Sequence, residues 1–137
     1  MRYFIDTNVF LILCVEPDSL DSKLLSELED YANQIIISAE SIRELILLIK
    51  FGKIKVKNLC SYADIKAKLD EYGVTIRYVD ESHFKTLEKI KPIPNHSDPA
   101  DLMIIAQAMT ENISIVSTDA KFTKYAKQGL KLIKNNR

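Results

Sequence analysis

Two cysteines, Cys14 and Cys60, are all the chain carries, far apart and in no C-x-x-C spacing, which argues against a disulfide framework and a zinc knuckle. They read as two small core residues in a reducing compartment. Long apolar runs are missing as well. The longest, Val9 to Val15 and Leu45 to Ile49, fall far short of the roughly 20 residues that a membrane helix needs, so no membrane span is expected. A secretory leader is not expected either. Asp6 interrupts the apolar residues after Arg2, and Glu16-Pro17 stands where small residues would form a cleavage site. The chain also lacks a dominant charge: 19 Lys plus Arg balance 19 Asp plus Glu, so any nucleic acid or anionic surface must be met by a local patch. Repeats and low-complexity stretches are absent, and the Pro-rich piece from Lys91 to Pro99 is short enough to be a loop. What is present, 47% apolar and 28% charged residues in 137, is the composition of a globular protein with a real core. We read it as one domain over residues 1–137, located in the cytoplasm.

Short β-branched or aromatic runs at Arg2 to Ile5, Ile35 to Ile37, Val74 to Val79, Ile113 to Val116 and Leu130 to Ile133 predict strands. Between them, apolar residues recur at helical spacing: Leu24, Leu25 and Leu28; Ile42, Leu45, Ile46 and Ile49; Ile65 and Leu69; Phe84, Leu87 and Ile90; Leu102, Ile105, Ala106 and Met109. Alternating strands and helices predict a three-layer α/β/α domain around a central, mostly parallel sheet.

In such sheets the carboxyl ends of the strands share one edge, and ligands bind there where the strand order reverses. Asp6 closes the first strand and Asp119 follows the fourth. Glu44 and Asp101 sit early in helices that start from the same edge, and Asp98 is a fifth acid nearby. Each has a plainer reading. Asp98 before Pro99 suits a helix N-cap, Asp6-Thr7-Asn8 and Thr118-Asp119 can cap the helices that follow them, and Glu44 lies off its helix's apolar stripe, on a face that water can cover. Capping alone gives no reason for acids at every relevant loop of one edge. Carboxylates crowded within a few ångström repel one another unless a cation lies between them. Hard oxygen donors, with no His or Cys in the set, suit Mg²⁺ or Mn²⁺, and such ions serve phosphate chemistry.

Four ordered blocks of the sequence resemble a PIN-domain ribonuclease, specifically the VapC-like toxins of type II toxin–antitoxin pairs. They are Phe4-Ile5-Asp6-Thr7-Asn8-Val9; Ile37-Ser38 to Glu44-Leu45, with Ile49-Lys50 and Gly52-Lys53; His96-Ser97-Asp98-Pro99-Ala100-Asp101, with Ile105-Ala106-Gln107-Ala108; and Ser117-Thr118-Asp119-Ala120-Lys121-Phe122. The resemblance implies a PIN-like fold and a metal-dependent endoribonuclease in which Asp6, Glu44, Asp101 and Asp119 hold Mg²⁺ or Mn²⁺ while water attacks an RNA phosphodiester. It further implies that Asn8 and Ser117 or Thr118 orient carboxylates or waters, and that Asp98 stands at the site's margin. Homodimers, and a small antitoxin protein whose tail enters the acidic groove, are implied as partners. The chain departs from the family pattern at Arg43, Ser97, Ala100 and Leu102, where an aromatic, a basic residue, an aromatic and an arginine are usual. None of these is an expected metal ligand, so the departures bear on substrate and partner contacts.

RNA needs positive charge, and the candidates are Lys50, Lys53, Lys55 and Lys57 after the Glu44 helix, with Arg43, Lys121 and Lys124 near other acids. A solubilising surface is the plainer reading of these lysines. His83 and His96 could act as general bases, but metal-activated water needs none, and neither joins the expected set. Leu45 to Ile49 is apolar around more than one helix face, which fits either a second, intermolecular surface or a helix sandwiched within the monomer. Two other functions fit parts of the sequence. A receiver-like, Mg²⁺-binding regulatory domain has similar length and architecture, but it places paired acids at the first strand, where Asp6 here precedes Thr7-Asn8, and the third strand ends at Asp80-Glu81 without the late lysine partner. A catalytically silent PIN scaffold that binds RNA or protein would have no use for four intact acids.

Overall fold

The computed structural model describes residues 1–96 and 98–135; Ser97, one of the departures noted above, lies outside the described residues. Five strands, β1 (Arg2–Ile5), β2 (Gln34–Ser38), β3 (Val74–Arg77), β4 (Ser114–Ser117) and β5 (Leu132–Lys134), pair in parallel in the order β3-β2-β1-β4-β5. The connections are α1 (Thr7–Val15) and α2 (Ser22–Glu29), α3 (Ala39–Lys50) and α4 (Tyr62–Tyr72), α5 (Glu81–Lys89) and α6 (Pro99–Glu111), and a 3₁₀ helix over Ala120–Gln128.

Alternation along the strands builds two cores. Tyr3, Ile5, Ile35, Ile37 and Val116 pack with Phe10, Leu24, Leu45 and Leu69 from α1 to α4. Phe4, Ile36 and Ile115 point the other way, against Ile104, Ile105, Phe122 and Tyr125 of α6 and the 3₁₀ helix. Because successive side chains of a strand face opposite sides, each short run must be apolar throughout to serve both layers. The expected three-layer α/β/α architecture is the one observed. The chain adds β2 and β3 on one side of β1, then crosses back to lay β4 and β5 on the other. The order therefore reverses between β1 and β4, which opens a crevice above their carboxyl ends.

Three details differ from the sequence pattern. β3 ends at Arg77 and Tyr78 is exposed, because the chain leaves the sheet there to place Asp80 as the N-cap of α5. β5 is displaced toward Lys134, after the left-handed Gly129 that ends the 3₁₀ helix. In α5 the expected apolar stripe begins at Phe84, yet that ring is exposed and His83 is buried in its place. His83 Nδ1 accepts the Asp80 N–H at 3.0 Å, closing a capping box, and its Nε2 lies 2.9 Å from Glu111 Oε2. Apolar periodicity cannot anticipate a polar side chain that is buried because both its nitrogens are matched.

α3 resolves another alternative. Leu45 is buried, while Ile46 and Leu47 are partly exposed, so this helix is not sandwiched inside the monomer. Its outer face, with Ala39, Ile42, Arg43, Tyr62, Ile76 and Tyr78, lines a mostly apolar groove of about 300 Å³. No helix among the described residues is long and apolar enough to cross a membrane.

Candidate active site

At the carboxyl ends of β1 and β4, a crevice of about 190 Å³ is lined by Asp6, Glu44, Asp98, Asp101 and Asp119, with Thr7, Asn8 and Phe122. The structure thus brings together all four acids expected as ligands, the marginal Asp98, and Asn8. Among the described residues no lysine or arginine lines it.

The capping readings turn out to be compatible with this convergence. Asp6 caps α1, its Oδ1 accepting the Val9 N–H at 2.8 Å. Asp98 caps α6 through the N–H groups of Ala100 and Asp101, and Asp119 caps the 3₁₀ helix through the Lys121 N–H at 2.9 Å. Each cap occupies Oδ1 and leaves Oδ2 for other partners. Helix starts attract carboxylates, and parallel topology sets these starts along one edge. Ser117, which is buried, ties two acids together: its hydroxyl donates to Asp6 Oδ2 at 2.5 Å and its oxygen accepts the Asp119 N–H at 3.0 Å. The Thr118 backbone N–H also hydrogen-bonds Asp6. The Thr118 contribution is therefore a main-chain one. Glu44 projects from the second turn of α3.

Crowding and burial set the electrostatics. Asp6 is 5% exposed, and burial pushes its carboxyl above the ordinary range, with the Asp119 charge adding to the rise and the Ser117, Val9 and Thr118 hydrogen bonds opposing it. Asp101 is pushed up to about 6, chiefly by burial and further by the charges of Asp98 and Glu44, while His96 pulls the other way. Both acids are held where their charge is costly unless a cation compensates.

His96 is the residue the sequence reading left out. It is buried, with Nε2 3.1 Å from Asp101 Oδ2. One ligand-type atom from each of His96, Asp101 and Asp119 lies within 4.8 Å of the others, and Asp6 and Glu44 line the same crevice outside that tightest group. The available signal was proximity, a histidine in the loop leading into an acid-rich helix start. The donor set, mostly carboxylate oxygen with one imidazole at the margin, fits a hard divalent cation.

The expected RNA-binding cations lie elsewhere. Arg43 pairs with Glu40 at 2.9 Å and borders the apolar groove instead of the crevice. Lys50, Lys53, Lys55 and Lys121 are exposed and do not line the crevice. A helix that joins parallel strands runs back along the sheet, so Lys50, six residues beyond Glu44, stands about 9 Å farther from the crevice edge at 1.5 Å per residue.

Fold and site together define an α/β/α domain with a carboxylate-lined crevice at its switch point. The chain belongs to the PIN-domain family, whose model matches residues 3–128. Among solved structures, it is similar to a chain of VapBC2 from Rickettsia felis, a complex bound to a DNA fragment from its promoter, at 22% identity and a TM-score of 0.68 over 99% of this chain and 100% of the other. It is also similar to a chain of VapBC-1 from nontypeable Haemophilus influenzae, at 21% identity and a TM-score of 0.67 over 98% of both. VapBC-5 from Mycobacterium tuberculosis, a member of the VapBC family of toxin–antitoxin systems, matches at 14% identity and a TM-score of 0.63 over 99% of this chain and 98% of the other. At these identities the likeness speaks for the fold. No curated protein matches the chain.

Proposed function

We propose that this protein is a metal-dependent endoribonuclease that hydrolyses RNA phosphodiester bonds, acting as the toxin of a toxin–antitoxin pair. The observation that carries this reading is the convergence of acids from four separate segments on one crevice that, among the described residues, no lysine or arginine lines, two of these acids with raised pKa values. In this reading Asp6, Glu44, Asp101 and Asp119 hold Mg²⁺ or Mn²⁺. When bound, the ion supplies positive charge that polarises a phosphoryl oxygen and makes water a better nucleophile. Ser117 and the Thr118 main chain hold Asp6 in place, Asn8 is available to orient water or phosphate, and Asp98 fixes the start of α6 so that Asp101 faces inward.

The partners follow from two surfaces. The apolar groove on α3 offers a small antitoxin, or a second copy of the chain, a surface that the monomer leaves partly uncovered. The similarity to chains from VapBC complexes supports the antitoxin. Lys50, Lys53, Lys55 and Lys121 would contact RNA that extends out of the crevice, with Arg43 joining only if Glu40 releases it. Reversing Lys53 and Lys55 to glutamate is expected to weaken RNA binding and to lower the salt dependence of log K by about 1 for each phosphate that the lysines no longer neutralise. Titrations at several salt concentrations check this, and an unchanged slope removes the patch from the site.

The decisive experiment incubates the purified protein with a mixed RNA pool in Mg²⁺, in Mn²⁺ and in chelator, beside an Asp6→Asn control. Cleavage should require a divalent ion and the Asp6 carboxylate. Cleavage that survives both chelation and Asp6→Asn overturns the mechanism, and binding without cleavage in either metal points to a silent scaffold.

A further inference from the structure

His96 stands in the loop before α6 with its ring held at both ends. Nδ1 lies 2.7 Å from Tyr125 Oη and Nε2 lies 3.1 Å from Asp101 Oδ2. The ring packs edge-on against Tyr125 and Phe122, with centroids 5.3 Å and 6.1 Å away, and both neighbours are buried. Tyr125 Oη in turn accepts the Ile93 backbone N–H at 3.3 Å.

Counting protons leaves one arrangement of the neutral ring that satisfies every group. An ionised carboxylate only accepts, so the contact with Asp101 requires the proton on Nε2. Nδ1 of that tautomer is an acceptor, so its partner must be the Tyr125 hydroxyl proton. The phenolic oxygen keeps lone pairs for the Ile93 N–H. The chain then runs in one direction: Ile93 N–H to Tyr125, Tyr125 O–H to His96 Nδ1, His96 Nε2–H to Asp101. The opposite tautomer would set a bare nitrogen lone pair against the carboxylate in a buried place, where unmatched polar contacts are costly.

We propose that Tyr125 and His96 form a hydrogen-bonded chain that fixes the Asp101 carboxylate for a divalent cation, with His96 a donor to Asp101 and not itself a ligand. The role toward the cation rests on the metal-dependent reading above; the chain itself does not. His96 takes up Oδ2 of a carboxylate that lines the crevice. Among the described residues Asp101 makes no helix-capping bond of its own, unlike Asp6, Asp98 and Asp119. A carboxylate held from behind in this way typically binds metal 10–100-fold better than one left free, to judge from the usual cost of removing such partners (about 10–100-fold).

Two measurements test the proposal, and they separate it from the metal-dependent reading. The first uses ¹⁵N-histidine-labelled protein in chelator, at a pH well above the roughly 6.5 of an ordinary imidazole. Long-range ¹H–¹⁵N spectra should show His96 as the neutral Nε2–H tautomer, identified by the signals that His96→Gln deletes, and Tyr125→Phe should shift its Nδ1 resonance. An Nδ1–H tautomer overturns the chain whether or not the protein binds metal. The second is Mn²⁺ affinity by calorimetry, with pulsed EPR of the bound ion. His96→Asn, whose amide reaches only the Nδ1 position, should weaken Mn²⁺ about 10–100-fold. His96→Gln, whose amide nitrogen reaches the Nε2 position and can still donate to Asp101, should retain most of the affinity. Equal losses in the two variants, or a directly coordinated imidazole nitrogen in the EPR of the unaltered protein, overturn the positioning role. Failure of the unaltered protein to bind Mn²⁺ removes the metal-dependent reading, and with it the role toward the cation, while the tautomer still stands or falls on the first measurement.

Discussion

Asp6→Asn is expected to yield a protein that cuts RNA on the order of 10²–10³-fold more slowly, the usual cost of removing one charge-stabilising group from an active site, and that is nevertheless more stable than the unaltered chain in chelator. Asparagine caps a helix as well as aspartate does, so the Val9 N–H keeps its acceptor. The charge disappears. Asp6 is buried and its pKa is raised, so ionising this carboxyl costs more in the folded state than in the unfolded chain, where water solvates it. Relieving it should stabilise the metal-free protein by about 0.5–2 kcal/mol, the size common for such changes at functional sites. Urea denaturation in chelator, read beside cleavage in Mn²⁺, checks both halves. A variant less stable than the unaltered protein in chelator would mean that the donors to Oδ2, led by the Ser117 hydroxyl, which an amide NH2 cannot accept, outweigh the relief of the buried charge.

The second large effect is the dependence of metal-induced stabilisation on pH. Burial pushes the Asp101 carboxyl up to about 6 in the folded chain, from its ordinary 3.8. A raised acid contributes stability that is fully present below the unfolded value and is lost as pH rises through the folded value, so the metal-free protein pays for this carboxylate increasingly as pH climbs from about 4 to about 6. A dication needs the ionised form and must displace the proton below that range. Manganese at a hundredfold excess over its dissociation constant should add about 2.7 kcal/mol at neutral pH, or roughly 10 °C in Tm for a chain of this size. Near pH 5 the shift should be smaller, because affinity falls up to about tenfold for each pH unit below the titration of a single competing proton. Paired thermal melts with and without Mn²⁺ at both pH values decide the point. An equal or larger shift at the acidic value would exclude Asp101 as a group that must lose its proton to bind.

Much of the architecture was legible because the physics behind it is periodic. Runs such as Phe4-Ile5 and Ile35 to Ile37 serve two cores at once, and a segment that is apolar on both faces has few places other than the centre of a parallel sheet. The convergence of Asp6, Glu44, Asp101 and Asp119 was legible for the same reason, since strand polarity alone puts the ends of β1 and β4 and the starts of α3 and α6 on one edge. What escaped were polar groups whose burial depends on a distant partner. His83 is inside because Glu111, 28 positions later, meets its second nitrogen. His96 is inside because Tyr125, 29 positions later, offers its hydroxyl. Arg43 read as an RNA contact by its neighbour in sequence, Glu44, but adjacent residues on a helix point some 100° apart, and the guanidinium lies on the groove. Whether α3 was sandwiched could not be told from its own residues, because that depended on what the rest of the chain laid against Ile46 and Leu47.

The order in which the acids are written along the chain also has a consequence during synthesis. Asp6 belongs to the first strand, but Ser117, which holds it, and Asp119, which stands beside it, arrive only with the fourth. A ribosome that has not yet reached Asp98 has produced one wall of the crevice and none of the opposing wall. Whatever chemistry the crevice supports is therefore withheld from the nascent chain until the fourth strand has been made.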